Sequence, residues 1–295
     1  MNVATHARLI GEIVSSEYIR QKPRVFDGPL VTVVIATYNR SEVLRYAVAS
    51  ALGQSYRRLE VLVVGDACTD DSERVVASFG DPRVTWTNLK QNSGSQAGPN
   101  QAGLGAASGE LIAYLGQDDL WRRDHIALLV ADLQRSGADV SSTVSSYAWP
   151  RPVPVRRFVS PPLGEFVPPS SLMHTRRAAD DVGGWRDHRE TVRPPDDDFL
   201  WRLKEDGKRF SRVRALTVVK FASAVRPASY RDRRFDEQAS ASRRIDRRGF
   251  VAREVLTGLA LFPLRSRAPG PAIRPDAAAI PGGVVTEYRR IRGLQ

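Results

Sequence analysis

Along the first half of the chain, uninterrupted apolar runs alternate with stretches in which apolar residues recur every three or four positions. "LVTVVIATY" (30–38) is a β-branched run broken only by Thr32, the pattern of a strand covered on both faces. Asn39 and Glu42 follow at capping-box spacing. Val43, Leu44, Ala47, Val48, Ala51 and Leu52 then form a helical stripe closed by Gly53. "LEVLVV" (59–64) is a second buried strand. Asp70 and Glu73 repeat the cap spacing before a stripe of Val75, Val76 and Phe79 that Gly80 ends. "RVTWTNL" (83–89) alternates as a third strand. A Gly- and Ala-rich segment (92–109) leads to a fourth, "ELIAYL" (110–115).

Strands and helices in this succession predict βαβ units and a mostly parallel sheet flanked by helices, an α/β fold. Ligands of such sheets sit outside the carboxyl ends of the strands. That rule selects "TYNR" (37–40), "GDACTDD" (65–71) and "GQDD" (116–119), all polar and rich in carboxylates or amides. Beyond Gly137 the signals weaken. The proline-rich stretch 149–170 reads as a long covering loop, "SSLMHT" (170–175) as a strand, and "LTVVKF" (216–221) as the last strand. A helix with Phe199, Leu200 and Leu203 on its apolar side is expected within 193–207. Residues 233–295 differ in character: a basic segment, an apolar patch (250–262) and a Pro/Gly-rich tail. The expected division is an N-terminal extension (1–27), an α/β domain (28–232) and a basic C-terminal extension (233–295).

Composition narrows the function. With 42% hydrophobic and 26% charged residues, the 295-residue chain is globular rather than disordered. A net charge of +11, from 44 Lys+Arg against 33 Asp+Glu, favours an anionic partner. The one cysteine, Cys68, excludes an internal disulfide and fits a reducing compartment. No apolar run approaches the ~20 residues that span a bilayer, and the N-terminus lacks a secretory h-region, so a cytoplasmic location is expected. Phosphate loops, the dinucleotide fingerprint, H-E-x-x-H and paired cysteines are absent. What remains is carboxylates at strand ends, suited to a hard divalent cation. By themselves, Asp118-Asp119 also read as a cap of the helix near Trp121, and Asp196–Asp198 as the acidic first turn of a helix. Cys68 reads as a small filler and His125 as structural; His174 and His188 flank the later acidic motif and read as structural or substrate-touching.

The chain from "VTVVIATYNRSEVLRYAVASALGQSYRRLEVLVVGDACTDDS" through "NSGSQAGPNQAGLGAASGELIAYLGQDDLW" to "DVGGWRDH" and "PPDDDFLWRL" resembles a family 2 glycosyltransferase of the GT-A fold, over roughly 30–221. The resemblance implies inverting transfer of a sugar from a nucleoside-diphosphate sugar to an acceptor hydroxyl, in synthesis of cell-surface polysaccharide or glycoconjugate. It implies donor contacts from Thr37, Tyr38, Asp66, Asn92, Gly94 and Asp118, and Mg²⁺ or Mn²⁺ at Asp118 with Asp119 in support. The general base it implies is Asp196, whose distance to Arg202 matches the family pattern, with Asp198 and Asp197 as rivals.

Gly65 and Gly116 depart from the family, standing where it often carries carboxylates, so the nucleotide's phosphates would supply most of the coordination. The implied acceptor is a saccharide or a lipid-linked glycan. The basic C-terminal segment reads as a solvated arm or as a peripheral contact with anionic membrane. Nucleic-acid binding has no aromatic platform or helix-turn-helix to support it. The alternatives are a non-catalytic nucleotide-sugar-binding protein on the same fold and a nucleotidyltransferase, for which "ATYNRSE" is a poor phosphate loop.

Overall fold

The strand-and-helix alternation folds as one sheet that carries a parallel half and a mixed half. The computed structural model describes residues 28–148, 167–221, 228–231, 235–265 and 276–294. In chain order the first half holds β1 (Val31–Thr37), α1 (Ser41–Leu52), β2 (Leu59–Gly65), α2 (Ser72–Ala77), β3 (Val84–Asn88), α3 (Ala97–Ala106) and β4 (Leu111–Gly116). Next come β5 (Leu120–Trp121), α4 (His125–Ser136), β6 (Val140–Ala148), β7 (Leu172–Thr175), α5 (Arg176–Asp181), α6 (Pro195–Glu205) and β8 (Phe210–Phe221). The helices α7 (Asp236–Ser242), α8 (Phe250–Arg265) and α9 (Gly283–Arg292) complete it. The sheet order is β3-β2-β1-β4-β7-β6-β8-β5. β3, β2, β1 and β4 run parallel, β7 is antiparallel to both neighbours, and β8 pairs parallel with β6.

Period-two alternation distributes each central strand between two cores. Val31, Val33 and Ile35 of β1 and Leu111, Ala113 and Leu115 of β4 pack into the layer containing α1 and α4. Val34, Ile112 and Tyr114 point the other way, into the layer of α3, α5 and α6. Both faces are dry, which is why these strands read as continuous apolar runs. The stripe foreseen on α1 is the face it buries.

Local chemistry differs from the sequence reading in three places. Asn39 does not cap α1. It sits at φ 46°, its side chain accepts from Thr69 N (2.8 Å) and donates to Thr69 Oγ1 (3.3 Å). The cap comes from the neighbouring loop, where Asp70 Oδ2 accepts from Ser41 N (2.9 Å) while Oδ1 accepts from Ser72 N and Oγ. One carboxylate thus ties the loops after β1 and β2 together. The Gly- and Ala-rich segment 92–109 contains α3, and β6 ("VSSTVSSYA") is a strand with no apolar alternation. Its Ser141, Ser142, Thr143, Ser145 and Ser146 are buried. Hydroxyl partners such as Asp132 for Ser141 (2.7 Å) and Thr217 for Thr143 (2.8 Å) offset that burial.

The C-terminal residues are packed rather than a solvated arm within their described part. Ala241, Ile245 and Phe250 join Leu120, Val219 and Phe221 in one cluster, and Val255 of α8 packs on Val144 and Leu216. α9 returns to the carboxyl edge of the sheet, so the part of the chain beyond 232 supplies a wall of the site described below. The covering loop expected at 149–170 lies outside the described residues up to 166. Among the described residues no helix is long and apolar enough to cross a membrane.

Candidate active site

A cavity of about 600 Å³ opens at the carboxyl ends of β1, β2 and β4, where the parallel sheet leaves polar loop residues. All six residues expected to contact a donor line it: Thr37 and Tyr38 after β1, Asp66 after β2, Asn92 and Gly94 after β3, and Asp118 after β4. Asp66 Oδ1 accepts from Ser93 N (2.7 Å), and its carbonyl accepts from Asn92 Nδ2 (3.0 Å), which fixes the loop after β3 on the end of β2. Burial pushes the Asp66 carboxyl above its usual range, against the hydrogen bonds from Ser93 and Gly94 and the charge of Arg289.

Gln117 is the residue that the sequence reading passed over. Its Oε1 accepts from Thr37 Oγ1 (2.7 Å) and Tyr38 N (2.9 Å), and its Nε2 donates to Tyr230 OH (2.9 Å). It thereby joins the first strand end to a segment more than a hundred residues away. Nothing in "GQDD" alone signals those partners.

Asp118 and Asp119, adjacent in sequence, have different surroundings. Asp118 is half-buried and faces the cavity. Burial, then the Asp119 charge, push its carboxyl up, while Lys220, Arg40 and Arg292 act the other way. Asp119 is fully buried, and both oxygens are taken. Oδ2 accepts from Ser170 Oγ (2.5 Å) and Lys220 Nζ (2.8 Å), and Oδ1 accepts from Phe221 N (2.9 Å). Its expected support of a metal is thus indirect: it holds Lys220 and β8 in place. Lys220 in turn lines the cavity beside Tyr147, whose hydroxyl burial pushes up to about 12.

The three consecutive aspartates at the head of α6 also separate by direction. Asp196 lines the cavity. Asp197 lines it too, but is drawn to Arg193 (3.0 Å). Asp198 is the exception to the catalytic expectation. It is buried beneath the helix in an ion pair with Arg202 Nε (2.9 Å), whose guanidinium also donates to Val182 O and Gly184 O. A carboxylate at i and a guanidinium at i+4 on one helix face meet by geometry alone, and this pair braces the "GGW" turn.

The three histidines among the described residues pack away from the cavity. His125 is buried, bonded to Thr217 Oγ1 (2.7 Å), and held down to about 3 by burial. His174, buried against Tyr114, is held at about 4. His188 packs behind Gly94 rather than on the cavity. Cys68 is half-buried, and its thiol is pushed up by burial, as a filler would be.

Gly65 and Gly116 have no room for the carboxylates of the family pattern. A Cβ on Gly65 would stand 2.6 Å from Asn88 Oδ1 and 2.6 Å from the Trp86 ring. A Cβ on Gly116 would stand 2.8 Å from Asp119 Oδ2. Gly65→Asp is therefore expected to cost about 1–3 kcal/mol through overpacking and to add no cation affinity. Chemical denaturation with a parallel Mn²⁺ titration checks both, and a stable variant that binds Mn²⁺ more tightly would refute the steric account. Among the described residues no group of three or more His, Cys, Asp or Glu side chains is placed to hold a metal. Of Asp118 and Asp119 only Asp118 is open to the cavity, so a cation there would need most of its oxygen ligands from a bound molecule.

Residues 32–161 match the Glycosyl transferase family 2, and the mostly parallel sheet with a cleft across its carboxyl ends fits the GT-A fold. The succinoglycan biosynthesis protein ExoO of Rhizobium meliloti (strain 1021) is 37% identical over 119 residues, 40% of this chain and 34% of that protein. The Escherichia coli UDP-Glc:alpha-D-GlcNAc-diphosphoundecaprenol beta-1,3-glucosyltransferase WfaP is 34% identical over 92 residues, 31% of this chain and 36% of its own. The matched stretch thus spans only about a third of these relatives. In fold, the crystal structure of S. aureus TarS 1-349 superposes with a TM-score of 0.56 at 15% identity, covering 90% of both chains. TarS 1-349 in complex with UDP-GlcNAc gives 0.55 at 17%, over 65% of this chain and 58% of that one.

Proposed function

We propose that this chain moves a sugar, with inversion, from a nucleoside-diphosphate sugar to an acceptor hydroxyl. The observation that supports it best is the division of labour among carboxylates: Asp118 and Asp196 open onto one cavity, while Asp119 and Asp198 beside them are buried in ion pairs with Lys220 and Arg202. In this reading Asp196 takes the proton of the acceptor hydroxyl. The acceptor oxygen bonds to the anomeric carbon from the face opposite the diphosphate, and the bond to the diphosphate breaks with its electron pair. Asp66 and Asn92 position the nucleoside, and Lys220 faces the charge that develops on the leaving group. Bound Mg²⁺ or Mn²⁺, held by Asp118 and the diphosphate, would stabilise that same charge.

The wider context follows from the relatives' names. Succinoglycan, colanic acid and teichuronic acid biosynthesis support a role in cell-surface polysaccharide or glycoconjugate synthesis. The WfaP name supports a lipid-linked saccharide as acceptor. Peripheral contact with anionic membrane, on the cytoplasmic side, fits the exposed Arg243, Arg247, Arg248 and Arg253 and the exposed Leu256 on one region of α7–α8. A non-catalytic donor-binding protein is the second reading, favoured by the carboxylates that Gly65 and Gly116 lack.

Calorimetry with UDP-, GDP- and dTDP-sugars in Mg²⁺, Mn²⁺ or EDTA tests the donor site. One nucleotide class is expected to bind, with affinity falling about tenfold or more in EDTA, and Asp118→Ala should lose the benefit of the cation. Binding by none of the three, or binding indifferent to the cation in the wild type, would overturn the site as drawn. A bound donor that no acceptor ever turns over would favour the second reading.

A further inference from the structure

Among the described residues Lys220, Arg289 and Arg292 line the donor cavity and Arg40 stands close to Asp118; all but Arg292 have a hydrogen bond to a protein oxygen. Lys220 is paired with Asp119 (2.8 Å). Arg40, whose Nε is likewise unpartnered, donates through Nη1 to Ser229 O (2.7 Å) and lies over the Tyr230 ring. Arg289 donates to Gly94 O (3.0 Å) and so staples α9 to the loop after β3. Arg292, in the last turn of α9, is different. It lines the cavity, its Nε is buried with no hydrogen-bond partner, and among the described residues it has no ion pair. Its guanidinium lies 5.7 Å from the centre of the Tyr288 ring, an aromatic contact that leaves the N–H fork open.

Its position is set by the backbone. Ala228 N donates to Ile291 O (2.8 Å) and Tyr230 N to Arg292 O (3.2 Å), so the segment after β8 grips the end of the helix. Tyr230 is itself held by Gln117, next to Asp118. Arg292 is half-buried, and its buried, unpartnered Nε carries a desolvation cost that an anion of matching geometry would offset. Arginine presents a planar fork suited to two phosphate oxygens at once. The absence of carboxylates at Gly65 and Gly116 leaves less negative charge to repel such a ligand.

We infer that Arg292 is a direct ligand of the donor's diphosphate, making α9 a working part of the donor site. The inference rests on the proposed nucleotide-sugar donor only for the identity of the anion. The rival role is structural, with Arg292 doing no more than steadying Asp118.

The test is calorimetry, in Mg²⁺, of wild type, Arg292→Ala and Arg292→Lys. The probes are inorganic pyrophosphate, UDP, GDP, dTDP and the corresponding nucleosides. Arg292→Ala is expected to weaken pyrophosphate and the bound nucleoside diphosphate about ten- to a hundredfold, as for loss of charge-assisted hydrogen bonds. Nucleoside affinity should be unchanged, and Arg292→Lys should recover part of the loss. If no nucleotide binds the wild type, but pyrophosphate binds and Arg292→Ala loses it, the anion site stands and the donor reading fails. The inference is overturned by unchanged diphosphate affinity in Arg292→Ala, by equal loss of nucleoside and diphosphate with no gain from Lys, or by a wild type that binds no diphosphate at all.

Discussion

Asp196→Asn is expected to lower turnover by about 10²–10⁴-fold with donor affinity changed by no more than about twofold, the signature of a lost general base. The carboxylate sits in the first turn of α6, where Asp198 N donates to Pro194 O (2.8 Å) and Asp197 N to Asp196 Oδ1 (3.2 Å). Burial pushes its carboxyl above the usual range, with Lys220 as the main opposing charge. A base must be unprotonated, so kcat should fall as pH drops through that raised value. The acid limb should then lie above the ~4 of an exposed aspartate. The sign for stability is the reverse of a salt-bridged carboxylate. Because the folded pKa exceeds the unfolded one, ionised Asp196 costs stability at neutral pH, and the cost vanishes as pH falls below the unfolded value. The Asn variant should therefore melt no lower than wild type at neutral pH, which separates lost chemistry from lost fold. Near-wild-type kcat in that variant would move the base to Asp197, the other carboxylate of the turn that reaches the cavity.

The contrast between neighbours also marks how far the sequence could be read. β1, β2 and β4 were legible because both faces of each strand are dry; the strand-end rule then selected the stretches 37–40, 65–71 and 116–119, and the family resemblance singled out Thr37, Asp66 and Asp118 within them. Direction is what linear spacing lacks. Asp118 and Asp119, or Asp196 and Asp198, present equal carboxylates in sequence, and only tertiary partners such as Lys220 and Arg202 distinguish them. Asn39 has the spacing of a cap, yet the cap arrives from Asp70 across a loop. β6 hid because its core is lined by hydroxyls whose partners lie on β8, α4 and the turn before β7. The contribution of α9 was illegible for the same reason: a basic, Gly-flanked helix far along the chain gives no sign that it returns to the first strands' edge.

Asp119→Ala is expected to destabilise the fold by about 3–5 kcal/mol, the cost of breaking an ion pair whose carboxylate is fully buried, whereas Asp118→Ala should change stability by less than about 1 kcal/mol. Asp119 is fully buried and accepts three hydrogen bonds, from Ser170, Lys220 and the Phe221 backbone. Its removal breaks the link between the end of β4, the turn before β7 and the end of β8, and takes from Lys220 its one ion-pair partner among the described residues. Lys220 is held above its usual range because Asp119, Tyr147 and Asp118 together outweigh burial. With the folded pKa above the unfolded value, its contribution is fully present through the neutral range and is lost only as pH rises past the ordinary lysine value. Removing both charges tests whether the penalty is an orphaned ion or a lost cavity filler. Asp119→Asn with Lys220→Met should be more stable than Asp119→Ala alone, since an apolar replacement of a buried pair often costs little. Urea denaturation of the four proteins decides it. Equal stability of Asp119→Ala and Asp118→Ala would mean that the buried pair does not hold the edge together, and that both carboxylates belong to the open site.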